Sequence, residues 1–197
     1  MTSICLVRHG ETDWNKEGRV QGSIDIPLNE DGILQAQECA EFLQQFSWDI
    51  IITSPLQRAK QTAEIINEKL QIPFIVMDDF REKNYGDAEG MTIQERNTKF
   101  PDRKYPNEES RTILTDRVMN GINIIYKNYP NQKILLVAHG GVINAILADL
   151  SGGEIGSGKT KLVNACISNI YHSDKKWSIK DYNQIAHLSK YNDKGKV

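Results

Sequence analysis

Short apolar runs alternate along this chain with segments whose apolar residues recur every three or four positions. Ile4-Cys5-Leu6-Val7, Ile50-Ile51-Ile52, Phe74-Ile75-Val76-Met77 and Ile134-Leu135-Leu136-Val137-Ala138 are the runs. Unbroken apolar stretches of this length predict strands covered on both faces, as in a parallel sheet. Between them the spacing predicts helices. Asn29-Glu30-Asp31 supplies an N-cap and an acidic first turn to a helix that turns Ile33, Ala36, Ala40, Leu43 and Phe46 inward. Ser54-Pro55 reads as an N-cap followed by proline at the first helical position, with Leu56, Ala59, Ala63, Ile66 and Leu70 as the buried stripe. Leu114, Val118, Ile122 and Ile125 mark another helix, and residues 141–150 a further one, closed by Ser151-Gly152-Gly153. Residues 162–171 and 177–182 flank Ser173-Asp174-Lys175-Lys176 in a hairpin pattern. The alternation predicts an α/β fold, a three-layer αβα sandwich with a mostly parallel central sheet.

Length and composition narrow the picture without selecting a function. At 197 residues the chain fits a single domain over 1–197 with a substantial core. Residues 83–112 are rich in Asn, Glu, Lys, Arg and Pro with little apolar periodicity, and predict an inserted lid segment over the strand ends. Residues 190–197 read as a frayed polar tail. A net charge of −2 argues against a nucleic-acid surface, so any anion site is local. Cys5, Cys39 and Cys166 are isolated, without the paired spacing of a zinc site, and read as free core thiols of a reducing cytosol. No run is long enough to span a bilayer, and no signal-like stretch precedes the first strand. The expected location is cytoplasmic, with no membrane partner and no cofactor or metal.

The chemistry gathers where apolar runs end. Val7 leads into Arg8-His9-Gly10, and Ala138 into His139-Gly140-Gly141, so half of the chain's four histidines follow strands directly. Open α/β sheets bind ligands at the carboxyl ends of their strands. Two imidazoles facing one crevice, one beside an arginine, point to chemistry on an anion. Arg58 adds to this, because a cation in the first turn of a helix opposes the macrodipole unless an anion sits there.

Leu6-Val7-Arg8-His9-Gly10-Glu11-Thr12-Asp13-Trp14-Asn15 resembles the signature of the histidine phosphatase superfamily, the phosphoglycerate mutase-like proteins. The likeness continues through Asp25-Ile26-Pro27-Leu28, Gly32, Gln35-Ala36, Thr53-Ser54-Pro55-Leu56-Gln57-Arg58-Ala59, Arg81-Glu82, Gly86-Asp87 and His139-Gly140-Gly141, roughly the first three quarters of the chain. The resemblance implies a phosphohistidine mechanism with His9 as nucleophile, a phosphate pocket of Arg8, Arg58 and His139, and Glu82 as proton donor. The residue types suit those roles. Phosphoryl transfer is mainly electrostatic clamping with in-line placement of a nucleophile, and forked guanidinium groups can supply the charge that a metal otherwise would. Cations flanking His9 depress its pKa and keep the attacking nitrogen unprotonated. Glu82, read alone between Arg81 and Lys83, is equally a solvated charge run. Asp87 and Glu89 are the next candidates for the acid. The amides of Asn15 and Gln21 can contact phosphate oxygens, and Gly22, Tyr85 and Gly140 complete the expected substrate site, with Trp14 near it.

Gly153-Glu154-Ile155-Gly156-Ser157-Gly158-Lys159-Thr160 satisfies the P-loop pattern, but a helix precedes it and a strand-like run follows, the reverse of what that motif needs. It reads as a Gly-Ser loop that matches by chance. Within the superfamily, cofactor-dependent mutases carry Arg-His-Tyr-Gly after the catalytic glutamate, where this chain has Lys83-Asn84-Tyr85-Gly86. The expected function is therefore hydrolysis of small-molecule phosphomonoesters, as in the small broad-specificity and α-ribazole phosphatase-like members. A phosphoglycerate mutase and an inactive phospho-ligand binding module are the alternatives.

Overall fold

The computed structural model describes residues 1–191. In chain order its elements are β1 (Thr2–Arg8), α1 (Asp13–Glu17), α2 (Glu30–Leu43), β2 (Ile50–Thr53), α3 (Gln57–Leu70), β3 (Phe74–Val76), α4 (Ile93–Lys99), α5 (Arg111–Asn128), β4 (Lys133–Ala138), α6 (Gly140–Leu150), β5 (Ile167–Ser173) and β6 (Lys176–Gln184). They form one six-stranded sheet in the order β3-β2-β4-β1-β5-β6. The first four strands of that order run parallel, while β5 and β6 are antiparallel. The central strands are buried along nearly their whole length, which is why they read as unbroken apolar runs. Helices α2 and α3 pack together, as do α5 and α6. β1 and β4 are thus neighbours whose following helices lie in different pairs, a switch point that opens a crevice beyond their carboxyl ends. No helix among the described residues is long and apolar enough to cross a membrane.

Several elements differ from the pattern-based expectation. In α2 the Asn29 cap forms, its side chain accepting from the Gly32 amide at 2.8 Å. The buried stripe, however, is Gly32, Gln35, Ala36, Cys39, Ala40 and Leu43, leaving Ile33 at 42% and Phe46 at 52% exposure. A backbone contact sets this phase. A Cβ on Gly32 would lie 2.0 Å from the Glu11 carbonyl oxygen, and one on Gly10 2.4 Å from that of Gly32, so these glycines face each other and fix which side of α2 is inward. Residues 162–166 are not strand. They form a buried loop leading into β5, and their apolar character reflects burial without pairing. The hairpin turn is Asp174-Lys175, both at positive φ, as a type I′ turn requires.

The segment 83–112 contains α4, whose Thr92 and Glu95 form a reciprocal capping box. That Thr-x-x-Glu signature was present in the sequence beneath a polar composition. Of the expected frayed tail, Lys190 is anchored by an ion pair with Asp31 at 2.7 Å, and residues 192–197 lie outside the described residues.

Candidate active site

The parallel register of β1 with β4 pairs Arg8 with Ala138, so the residues that follow, His9 and His139, emerge side by side. Their ring centroids are 5.2 Å apart. The His9 backbone is held on both sides, its N–H donating to Ala138 O at 3.0 Å and its carbonyl accepting from Ala165 N at 3.1 Å. His9 Nδ1 lies 2.7 Å from the Gly10 carbonyl, which can only accept, so Nδ1 carries the proton and Nε2 keeps its lone pair. His139 Nε2 meets the Ser54 hydroxyl at 2.7 Å, while its Nδ1 is buried without a partner among the described residues. Burial, then Arg58 and Arg8, hold the His9 pKa well below the usual value. Burial, Arg58, His9 and Arg8 do the same for His139.

Neutral buried imidazoles make stability pH-dependent. Below the ordinary value of 6.5 the unfolded chain binds protons on these rings and the folded protein does not, so stability falls as pH drops. Each histidine contributes a slope of up to about 1.4 kcal/mol per pH unit, and none well above 6.5. Urea midpoints from pH 7.5 to 5 should therefore fall less steeply in His139→Asn than in the parent. Identical slopes would show that His139 is not held neutral.

Arg58 stands on the second residue of α3 and is 1% exposed. Ser54 does not cap this helix as expected. The helix starts at Gln57, whose amide donates to Asp25 Oδ1 at 2.7 Å, and the Ser54 hydroxyl accepts from Leu56 N, ahead of the helix, at 3.3 Å and meets His139. The terminal nitrogens of Arg58 donate to Ile24 O at 2.9 Å and Gly22 O at 2.8 Å, which aims the guanidinium along its remaining edge. Arg8 is fastened in the same way by the Leu162 carbonyl. Burial lowers the pKa of Arg58 to about 10, opposed by Glu82 and Asp25, so it stays charged at neutral pH. Neither arginine has a carboxylate ion-pair partner among the described residues. Arg8 Nε and Arg58 Nε are buried donors without a partner, and His139 Nδ1 is buried without one as well. Each such group costs about 1–3 kcal/mol. Arg8 and Arg58 line one cavity with His9, and the His139 ring lies behind it against His9.

Glu82 reaches the same crevice from the segment after β3. Its carboxylate accepts from Lys83 N at 2.8 Å and from Gly141 N at 3.1 Å, and a Cβ on Gly141 would sit 2.4 Å from Oε1. Only glycine there admits the carboxylate against the first turn of α6. Asn15 and Gln21 line the cavity with their oxygens already occupied, Asn15 Oδ1 by Thr12 and Asn164, Gln21 Oε1 by Thr12, which leaves their amide N–H groups outward. Gly22, Tyr85 and Gly140 also line it. Trp14 does not, and packs toward Gly90. Of the alternative acids, Glu89 accepts from Ser23 N at 2.8 Å and Tyr85 N at 3.0 Å, tying two loops together, and Asp87 accepts from Asn107.

The family model of the histidine phosphatase superfamily (branch 1) matches residues 4–185. The chain belongs to this superfamily. It is 57% identical over 189 residues to the uncharacterized phosphatase PhoE of Bacillus subtilis, covering 96% of this chain and 98% of that protein. It is 34% identical to a metal-independent phosphoserine phosphatase of Arabidopsis thaliana, covering 96% and 84%. Among solved structures, Bacillus stearothermophilus YhfR superposes with a TM-score of 0.89 at 26% identity, covering 95% and 99%. These likenesses place the chain among phosphoric monoester hydrolases.

Other parts of this histidine phosphatase were not foreseen. Asn164 donates to His9 O at 3.1 Å and Asn15 Oδ1 at 3.1 Å, and so ties the His9 backbone to the Asn15 loop. Nothing marked it within a run that read as strand. The P-loop-like stretch follows α6 and precedes a buried loop, so the motif's context is absent, as expected. Its location is still informative, since Ser157, Thr160 and Lys161 line the cavity. Arg96, Arg103 and Arg111 line it too, giving a chamber of about 530 Å³ with cations in addition to Arg8 and Arg58.

Proposed function

We propose that this phosphatase hydrolyses small phosphomonoesters through a phosphohistidine on His9. The supporting observation is the unprotonated His9 Nε2 in one cavity with the guanidinium groups of Arg8 and Arg58, with the His139 ring 5.2 Å away. In the first half-reaction Nε2 attacks phosphorus, the bond from phosphorus to the ester oxygen breaks, and the Glu82 carboxyl gives that oxygen its proton. In the second, water attacks the phosphohistidine as the Glu82 carboxylate takes its proton, the P–N bond breaks, and inorganic phosphate leaves. Arg8 and Arg58 neutralise charge on the transferring oxygens throughout.

The rest of the chamber bears on the leaving group. Arg96 offers a buried Nε without a partner and meets only the Tyr105 hydroxyl at 3.4 Å. Arg103, Arg111 and Lys161 have no carboxylate ion-pair partner among the described residues. We read this excess of cations as a site for leaving groups that carry a carboxylate, the chemistry of the phosphoserine named for the Arabidopsis relative, with residues 83–112 serving as a lid. Lys83 and Asn84 offer little to a second phosphoryl group, since Lys83 Nζ is paired with Glu108 at 2.6 Å and Asn84 turns its side-chain oxygen onto the Gly86 amide. This favours hydrolysis over mutase chemistry.

The purified protein should release phosphate from p-nitrophenyl phosphate in EDTA and be inhibited by vanadate. From 3-phosphoglycerate it should yield inorganic phosphate. Loss of turnover in EDTA that a divalent ion restores, or isomerisation without phosphate release, would overturn the reading.

A further inference from the structure

Arg117 stands on α5 and spends all three guanidinium nitrogens on groups around Glu82. Its Nη1 donates to the carbonyls of Asp79 at 2.7 Å and Arg81 at 2.9 Å. Its Nε and Nη2 donate to the two carboxylate oxygens of Glu109, at 3.0 Å and 2.9 Å. Glu109 in turn pairs with the backbone of Asn84, its carboxylate accepting from the Asn84 N–H at 3.3 Å and its own N–H donating to the Asn84 carbonyl at 2.8 Å. The chain is thus gripped at Asp79, Arg81 and Asn84, on both sides of Glu82, by one forked ion pair.

The surface of α5 is shaped for this contact. Gly121 lies four residues beyond Arg117, on the same face of the helix. A Cβ there would sit 2.8 Å from the ring of Phe80 and from Asp79 Cβ, so the glycine lets the turn at Asp78–Phe80 lie against α5 with Phe80 fully buried. Residues 81–85 have no regular structure of their own, and no ladder of backbone bonds holds Glu82 in place. An exposed ion pair contributes little, but a partly buried bidentate pair with two further charge-assisted bonds to carbonyls fixes geometry as well as charge. The Glu82 carboxylate meanwhile accepts from Gly141 N on α6, and α5 packs against α6. Arg117 therefore fastens the Glu82 backbone to the same helix pair that holds its carboxylate.

We infer that Arg117, through its pair with Glu109, is a positioning residue for the general acid: it holds the backbone on both sides of Glu82 so that the carboxyl stays at the ester oxygen. This role rests on the acid assignment made above and adds to it what keeps the acid in place. Misplacing a reacting group by about 1 Å can cost on the order of 10²-fold in rate.

The test is a ratio, kcat for an alkyl phosphate (3-phosphoglycerate or O-phosphoserine) over kcat for p-nitrophenyl phosphate. Taken in one preparation at saturation, it is independent of how much of the protein is folded. Arg117→Met keeps the length of the side chain and removes the fork. It should lower the ratio by about tenfold or more, because a displaced carboxyl fails the poor alkoxide leaving group and matters little to nitrophenolate. Glu109→Gln, which cannot accept at both positions, should move the ratio in the same direction. In Glu82→Gln no acid is left to place, so adding Arg117→Met should leave the ratio where Glu82→Gln alone sets it. Equal slowing of the two substrates by Arg117→Met, an unmoved ratio in Glu109→Gln, or a further drop when Arg117→Met joins Glu82→Gln would each overturn the positioning role. A Glu82→Gln ratio equal to that of the parent would instead overturn the acid assignment, and failure of the parent on every substrate would overturn the phosphomonoesterase reading.

Discussion

Replacing His9 with alanine is expected to abolish hydrolysis of alkyl and aryl phosphates alike, with kcat down on the order of 10⁴–10⁶-fold. The ring is 2% exposed, and its unprotonated Nε2, the proposed nucleophile, shares a cavity with Arg8 and Arg58. Without it no covalent intermediate forms, whatever the leaving group. Binding should respond differently from catalysis. Arg58 is held by Gly22 O and Ile24 O and Arg8 by Leu162 O, and none of these contacts passes through the imidazole. His9→Ala should therefore still bind inorganic phosphate, measurable by calorimetry. Acid-quenched reactions with labelled substrate should trap phosphate on the parent protein and none on the variant. Label retained by His9→Ala would place the nucleophile elsewhere.

The second large effect separates acid catalysis from binding. Glu82→Gln should slow alkyl phosphates, whose alkoxide departs poorly, by about 10²–10⁴-fold, and aryl phosphates far less. Glutamine can keep only one of the two contacts that the carboxylate makes, since its NH₂ cannot accept from either Lys83 N or Gly141 N. That loss is common to all substrates, so the alkyl-to-aryl contrast isolates the proton. Equal slowing of both classes would reduce Glu82 to a positioning role. The acid would then have to be sought outside Glu89 and Asp87, because the former is engaged by the Ser23 and Tyr85 amides and the latter by Asn107.

Errors in the reading of local elements share a cause. Ile33 continues the apolar periodicity of α2 yet faces outward, because the Gly10–Gly32 backbone contact turns the helix so that Gly32 and polar Gln35 face in, and Phe46 lies beyond the helix end. Gln35 is satisfied there by the Glu11 amide at 2.9 Å. Ser54 precedes a proline as a good cap should, but its hydroxyl meets His139, just beyond the end of β4. Residues 162–166 are apolar because they are buried, and periodicity does not distinguish a buried loop from a strand. In each case a contact between distant segments outweighed a local preference of about 1 kcal/mol or less.

The sequence by itself determined the α/β alternation, the histidines at the ends of two apolar strands, the arginine in a helix's first turn and the superfamily. These are local patterns, since a strand is announced by its own side chains and a strand end by the glycine that follows. Only the tertiary structure decided that β1 and β4 are neighbours in a register that sets His9 beside His139. The same holds for the contacts of Glu82 with Gly141 and of Asn164 with the His9 carbonyl. Those polar side chains sit in stretches with no periodic signal, and each takes its meaning from a group far away in the chain. Hydrogen-bond satisfaction is a property of the assembled crevice, so which donors and acceptors are left for a ligand can be read only after every other one has found its partner.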